Sequence, residues 1–242
     1  MRTHRAAELA SCLVALRTDL DVRVIVLTGT DDVFTYPPSS APWHGDPGTD
    51  WDGMTGLAQV LEAIVSMEKP IVAKVNGPAV GFGSTLVFAA DLVVAREDAI
   101  IADHHLGMGD VVVDGERRGL AGHGVVPGDG GAVFVPLAMS PALAKEYLML
   151  AQPRRADELA RLGIINYAVP ADALDSKTDE LVGRLLTRNA YALAWTKRVV
   201  NQRMRIAYDT SFDAGLAYEF LGFYMQQPQA VERGQGRGVD RL

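Results

Sequence analysis

Residues 69–91, KPIVAKVNGPAVGFGSTLVFAAD, set the reading of the whole chain. Ile71 to Val75 is a β-branched run directly after Pro70, short enough to be a buried strand. Gly77, Gly81 and Gly83 follow, where the backbone can take angles closed to other residues. From Ser84 to Ala90 the residues are small and apolar, with no breaker before Asp91, and predict a helix. A strand that turns on glycines into a helix leaves the first backbone N–H groups of that helix without intrahelical partners. With the positive end of the helix dipole behind them, those donors make a site for a developing negative oxygen. A plain strand-to-helix connection has the same pattern, so the glycines alone do not separate the two.

The rest of the chain sets limits. At 242 residues, 48% hydrophobic and 22% charged, it is long enough for one sizeable core. A net charge of −7 with no dense Lys/Arg run argues against a nucleic-acid partner. The single cysteine, Cys12, sits among Leu9, Leu13 and Leu16 and has no internal partner for a disulfide, as expected of an intracellular protein. No apolar stretch of about eighteen residues predicts a membrane span, and the N-terminus lacks the apolar core of a signal peptide. The expectation is a soluble, cytoplasmic globular protein.

Outward from the central stretch, Leu9, Cys12, Leu13 and Leu16 mark a helix over 6–19. Val22 to Thr28 reads as a strand covered on both faces. Gly29 to Gly53 is polar and carries Pro37, Pro38, Pro42 and Pro47, a long loop of the kind that is usually functional or mobile. Leu57, Val60, Leu61, Ile64 and Val65 give the next helix one apolar face. Beyond the centre, 92–95 and 99–102 predict two short strands, and Gly107 to Gly131 is glycine-rich and unpatterned. Helices are predicted over 141–151 and 156–162, the second closed by Gly163, then a strand over 164–169. After Pro170 the pattern is helical, over 177–188, 190–208 and 211–226. The last helix carries Phe212, Leu216, Tyr218, Phe220, Leu221, Phe223 and Tyr224, more apolar surface than one packed side needs, which points to a subunit interface. The fold class is α/β, with a core over 1–170 and a helical oligomerisation region with a loose polar tail over 171–242.

The segments VRVIVLTG, KPIVAKVNGPAVGFGSTL, VVPGDGGA and AKEYLMLAQPRRADELARLGIINYAV occur in the order and spacing of the crotonase (enoyl-CoA hydratase/isomerase) superfamily. The chain resembles a divergent member of it over most of residues 6–226, VNGPAVG being the most specific part. The resemblance implies a spiral of ββα units, homotrimers or dimers of trimers built through the C-terminal helices, and an acyl-CoA thioester substrate. No separate cofactor and no metal are implied, coenzyme A entering only as part of the substrate. It also implies that two backbone N–H groups bind the thioester oxygen as it becomes an enolate. Carried over by position, these are the amides of Tyr36 and Phe82, a pair able to supply much of the catalysis. Pro37, Pro38 and Phe82 stand where relatives often have glycine or alanine, which would reshape the hole or narrow the acyl pocket.

The acid–base positions depart further from the pattern. Relatives that hydrate use two glutamates around one water. Here the first falls on Thr85, which has no carboxylate, and the second on His105, counted back from Gly109 in DHHLGMG. A histidine exchanges protons either way near neutral pH, although a polar residue at a strand end reads the same way. Asp129 in VVPGDGG has three readings: a helix cap, a proton shuttle as in isomerases of the family, or the carboxylate that orients His105. His44 and His123 read as surface residues of loops. Asp103, His104 and His105 are neighbours that point apart along a strand, which is not a ligand set by spacing. The chain begins almost at its first helix, without the strands that usually precede it. It also carries about fourteen extra residues between Gly109 and Val125, either a lid or a tolerated surface insertion.

Three functions follow as expectations. The first is an enoyl-CoA hydratase/isomerase-like enzyme, a lyase or isomerase using the Tyr36 and Phe82 amides with His105. The second is a carbon–carbon bond hydrolase of a cyclic β-diketone, since relatives of that kind share the missing first glutamate and the histidine at the second. The third is a catalytically decayed scaffold. The expected partners are the small-molecule substrate and further copies of the chain, with no nucleic acid and no membrane.

Overall fold

The computed structural model describes residues 3–35, 47–107, 110–113, 116–119 and 124–226. Tyr36, Pro37, Pro38, His44 and His123 lie outside the described residues. The chain opens with helix α1 (Thr3–Thr18), strand β1 (Ile25–Thr28) and helix α2 (Pro47–Val65). A strand–strand–helix unit follows, β2 (Ile71–Val75), β3 (Ala79–Val80) and α3 (Phe82–Ala89). The next unit starts with β4 (Leu92–Arg96) and β5 (Ile100–Ala102), carries the strands β6 (Asp110–Val113) and β7 (Glu116–Gly119), and reaches α4 (Gly131–Ala138) and α5 (Pro141–Met149). Then come β8 (Arg154–Arg155), α6 (Ala156–Arg161), β9 (Tyr167–Val169), a 3-10 turn, and three helices, α7 (Leu174–Leu186), α8 (Ala190–Val200) and α9 (Gln202–Gln226).

The first strand of each unit joins one sheet and the second joins another, so the units climb as a spiral. The larger sheet runs β1-β2-β4-β9, all parallel, and the smaller β3-β5-β8. β2 is central in the larger sheet, with Ile71, Val72, Ala73 and Val75 buried, which is why the β-branched run was readable as a core strand. The main hydrophobic cluster runs from Leu13 of α1 through Val60, Leu61 and Ile64 of α2 and Phe134 of α4 to Tyr208 and Phe212 of α9.

A half-buried ion pair fastens the C-terminal helices to this core. Lys197 Nζ lies 2.6 Å from Asp91 Oδ2 and donates to the Lys69 carbonyl at 2.9 Å. Asp91 Oδ2 also accepts the Ile71 amide at 2.7 Å, at the start of β2. Burial lowers the Lys197 pKa against the pull of Asp91. Among the described residues, no helix is long and apolar enough to cross a membrane.

Several expectations are corrected. β1 starts at Ile25, lies at the edge of its sheet and is buried only on alternate residues, so it is not covered on both faces. Helix α2 reaches back to Pro47, inside the stretch read as a loop, because proline is at home in the first turn of a helix. β6 and β7 pair antiparallel within the stretch read as unpatterned. The break between the last helices falls at Asn201 rather than near 209. Thr210 Oγ1 donates back to the Ile206 carbonyl at 2.7 Å, a bond that lets a polar residue stay within a helix.

Candidate active site

Three loops and two helices converge beside the start of α3. Gly81 has φ +62° and is the N-cap of α3, with no side-chain cap. An L-residue there would be strained, and its Cβ would lie 2.5 Å from His104 Cε1. The Gly81 amide donates to the Ala102 carbonyl at 2.9 Å, tying this turn to the end of β5, one residue before Asp103. The Phe82 amide has no hydrogen-bond partner among the described residues. Phe34 and Thr35 dock on the same turn. Their amides donate to the Pro78 carbonyl at 3.1 and 3.0 Å, and Thr35 Oγ1 accepts the Val80 amide at 3.0 Å. Tyr36, the expected second donor, follows directly and lies outside the described residues.

The chain leaves β5 at Ala102 and turns. Asp103 Oδ1 accepts both the His105 amide, at 3.0 Å, and the His105 ring N–H at Nδ1, at 2.9 Å. This bond pair fixes the imidazole and presents Nε2 to the other side, where it lies 3.5 Å from Asp129 Oδ2 and 3.5 Å from Glu219 Oε1. Thr85 Oγ1 donates to Asp129 Oδ1 at 3.4 Å. All of Thr85, Asp103, His105, Asp129 and Glu219 are buried. The His104 and His105 rings do not point apart along a strand; both lie past the end of β5, their centroids 4.7 Å apart.

Burial works against a charged His105, but Asp129 and Asp103 overcome it and hold the ring pKa well above 6.5. Burial likewise opposes ionisation of Asp103, and the charge and N–H groups of His105 outweigh it and lower its pKa. Asp129 is pushed up to about 7, mainly by burial, with the imidazolium opposing and the charges of Glu219 and Asp103 adding to the rise. The result is an imidazolium anchored at one nitrogen, facing a carboxyl that gains and loses its proton near neutral pH, a pairing suited to general acid–base work.

The structure brings Thr85, His105 and Asp129 together and places Phe82 at the start of the adjoining helix. Of the three readings of Asp129, the orienting one belongs instead to Asp103. Asp129 is not the N-cap of α4, which is Gly130, although the Gly131 amide helps hold its charge. Glu219 went unread: its signal was one acidic residue within the apolar pattern of α9. One ligand atom each from Asp103, His105 and Asp129 lie within 4.8 Å of one another, so the fold assembles a set that spacing alone did not. Asp103 Oδ1, however, already takes two N–H donors from His105.

A family model described as enoyl-CoA hydratase/isomerase matches residues 2–223. The chain belongs to this family. Among its curated relatives is the crotonyl-CoA hydratase of Syntrophomonas wolfei, 28% identical over 218 residues, 89% of this chain and 76% of that protein. The carnitinyl-CoA dehydratase of Citrobacter koseri is 29% identical over 201 residues, covering 79% of this chain and 68% of the relative. An enoyl-CoA hydratase/isomerase structure from Mycobacterium paratuberculosis superposes with a TM-score of 0.78 at 27% identity, covering 92% of this chain and 84% of that one. A β-diketone hydrolase from Anabaena has a TM-score of 0.80 at 22% identity, covering 94% and 86%, a likeness of fold. The α/β architecture of parallel sheet and C-terminal helices is that of the enoyl-CoA hydratase/isomerase fold.

Proposed function

We propose that this member of the enoyl-CoA hydratase/isomerase family hydrates an enoyl-CoA, or removes water from the matching 3-hydroxyacyl-CoA, with His105 as its acid–base group. The observation that carries this reading is the buried imidazole fixed by Asp103 and turned toward Asp129, at the corner where α3 begins. The thioester oxygen sits against the Phe82 amide, with the Tyr36 amide as second donor. Each such donor is worth about 3–4 kcal/mol once charge develops on that oxygen. As a water oxygen bonds to Cβ and gives a proton to one of the carboxylates facing His105 Nε2, the double bond's electrons move into the thioester, the enolate forms at these amides, and the His105 imidazolium delivers a proton to Cα. Asp129, near 7, stabilises the imidazolium and exchanges protons with it. The crotonyl-CoA hydratase and carnitinyl-CoA dehydratase relatives support a thioester substrate and this direction of chemistry.

A second reading has one specific observation behind it: Thr85 stands where a carboxylate is expected, and an imidazole backed by Asp103 resembles the base of a hydrolase. In that reading His105 activates water against a ketone of a cyclic β-diketone, and the enolate leaves toward the same amides. A panel of enoyl-CoA thioesters and cyclic diketones, read by mass spectrometry, tests the choice. Mass gain of one water on a thioester supports the first reading; ring-opened diketone with inert thioesters overturns it in favour of the second. Turnover of neither leaves only a binding scaffold.

A further inference from the structure

Glu219 enters the site from α9, the helix expected to serve a subunit interface. Gly215, Glu219 and Gly222 fall on one helical face. Gly128 packs so closely on Gly215 that a Cβ on Gly128 would collide with the Gly215 carbonyl, and a Cβ on Gly222 would lie 2.9 Å from Val125 Cγ1. The segment carrying Asp129 therefore runs against bare helix backbone, and the Glu219 side chain emerges between those contacts. Met54, Val125 and Phe223 form an apolar cluster there, joined by Leu57, Leu216 and Phe220. The side chain is 3% exposed, Oε1 lies 3.5 Å from His105 Nε2, and Oε2 is buried with no hydrogen-bond partner among the described residues. A carboxylate oxygen placed in such surroundings without a partner opposes folding, so its position calls for a ligand or reactant to meet it.

We propose that Glu219 is the second acid–base carboxylate of the reaction, supplied by the C-terminal helix in place of the carboxylate absent at Thr85. This inference rests on the hydration reading above. As the water oxygen bonds to Cβ, Glu219 takes one of the water's protons. The Cα=Cβ π pair becomes the Cα–C double bond of the enolate, and the carbonyl π pair moves to the thioester oxygen. The enolate then collapses, Cα taking the proton of His105 Nε2. The proton on Glu219 passes to His105 over the 3.5 Å that separates them, which restores both groups, and the only net change is the addition of water. His105 thus serves Cα and Glu219 serves the water, and the two jobs can be measured apart.

The test compares Glu219→Gln with wild type in two assays: hydration of crotonyl-CoA, and wash-in of solvent deuterium at Cα of butyryl-CoA, which needs the amides and His105 but no attacking water. The proposal expects hydration to fall by about a hundredfold or more, the scale of a lost general base, and deuterium wash-in, which loses only the charge beside His105 Nε2, to fall at least about tenfold less than hydration does. Hydration kept within about threefold overturns it. So does equal loss in both assays by a variant with native circular dichroism, since that marks Glu219 as structural. If the glutamine variant does not fold, Glu219→Asp carries the same comparison, because it keeps the charge and withdraws it by one methylene. Wild-type protein active in neither assay refutes the hydration reading itself, and the inference with it. Wild type that exchanges deuterium but hydrates nothing refutes Glu219's role alone.

Discussion

Asp129→Asn should make the folded protein more stable while slowing its reaction. In the fold, Asp129 has its pKa pushed up to about 7 from an ordinary 3.8. A carboxyl raised in this way keeps its proton in the folded state between about pH 4 and pH 7, where the unfolded chain has released it. Stability is therefore lost as pH climbs through that window. The gap is roughly three units, and at ~1.4 kcal/mol per unit the ionised side chain costs the fold about 4 kcal/mol above pH 7. Asparagine removes that cost and keeps the side chain's size. The attraction of the His105 imidazolium for the ionised side chain is already contained in the raised value. The expected net effect is therefore about 4 kcal/mol of added stability at pH 8, shrinking toward zero near pH 4. In a chain this long it would appear as a rise in melting temperature of about 8–16 °C. Urea unfolding at pH 4.5 and pH 8, extrapolated linearly, measures the difference. The low pKa of Asp103 acts in the opposite sense, its stabilisation being lost as pH falls through its folded value, and it is common to both proteins. An Asn variant less stable than wild type at pH 8, or an advantage that does not change with pH, would refute the assignment of Asp129 as a strained, proton-exchanging group.

Asp103→Asn removes the charge behind His105 Nδ1, so the imidazole pKa should drop from its raised position and the alkaline limb of the pH–rate profile should move to lower pH. Turnover should fall by about 10²–10⁴, the range seen when an orienting carboxylate is neutralised; an unmoved alkaline limb would contradict the role given to Asp103. Because a raised histidine pKa stabilises the fold below about 6.5 and that stabilisation is lost as pH rises through the folded value, the same variant should also flatten stability on the alkaline side, measurable by urea unfolding. Lys197→Met should cost about 1–3 kcal/mol in the same assay, since it leaves the half-buried Asp91 carboxylate at the foot of β2 with only the Ile71 amide and Asn201 to hold its charge. A chelator should leave turnover unchanged, because Asp103, His105 and Asp129 act here as a proton-handling set; loss of activity restored by a divalent cation would make the cluster a metal centre.

What could be read in advance follows from where the information lies. β2, the glycine turn and α3 were legible because a buried β-branched run and a positive-φ glycine are local requirements, met by local residues. His105 was legible only through spacing against a family pattern. The orienting role of Asp103 was not, because DHH after an apolar run reads as strand continuing, and only the end of β5 at Ala102 turns the carboxylate back onto the ring two residues later. Glu219 is about 114 positions from His105 in the chain, a separation no periodicity bridges. Its signal was present nonetheless, as one charge between Leu216, Phe220 and Phe223, flanked on the same face by Gly215 and Gly222. The start of α2 at Pro47 and the β6–β7 pair were also signalled in the sequence, by a first-turn proline and by an Asp-Gly dipeptide, and were obscured by the polar, glycine- and proline-rich runs around them.

The central claim is that His105 moves a proton at Cα of an enolate whose oxygen rests on the Phe82 amide. Deuterium wash-in at Cα of a saturated acyl-CoA, compared between wild type and His105→Ala, addresses it most directly. The account predicts exchange by wild type and a loss of about a hundredfold or more in the variant; exchange at the wild-type rate without the imidazole would contradict it.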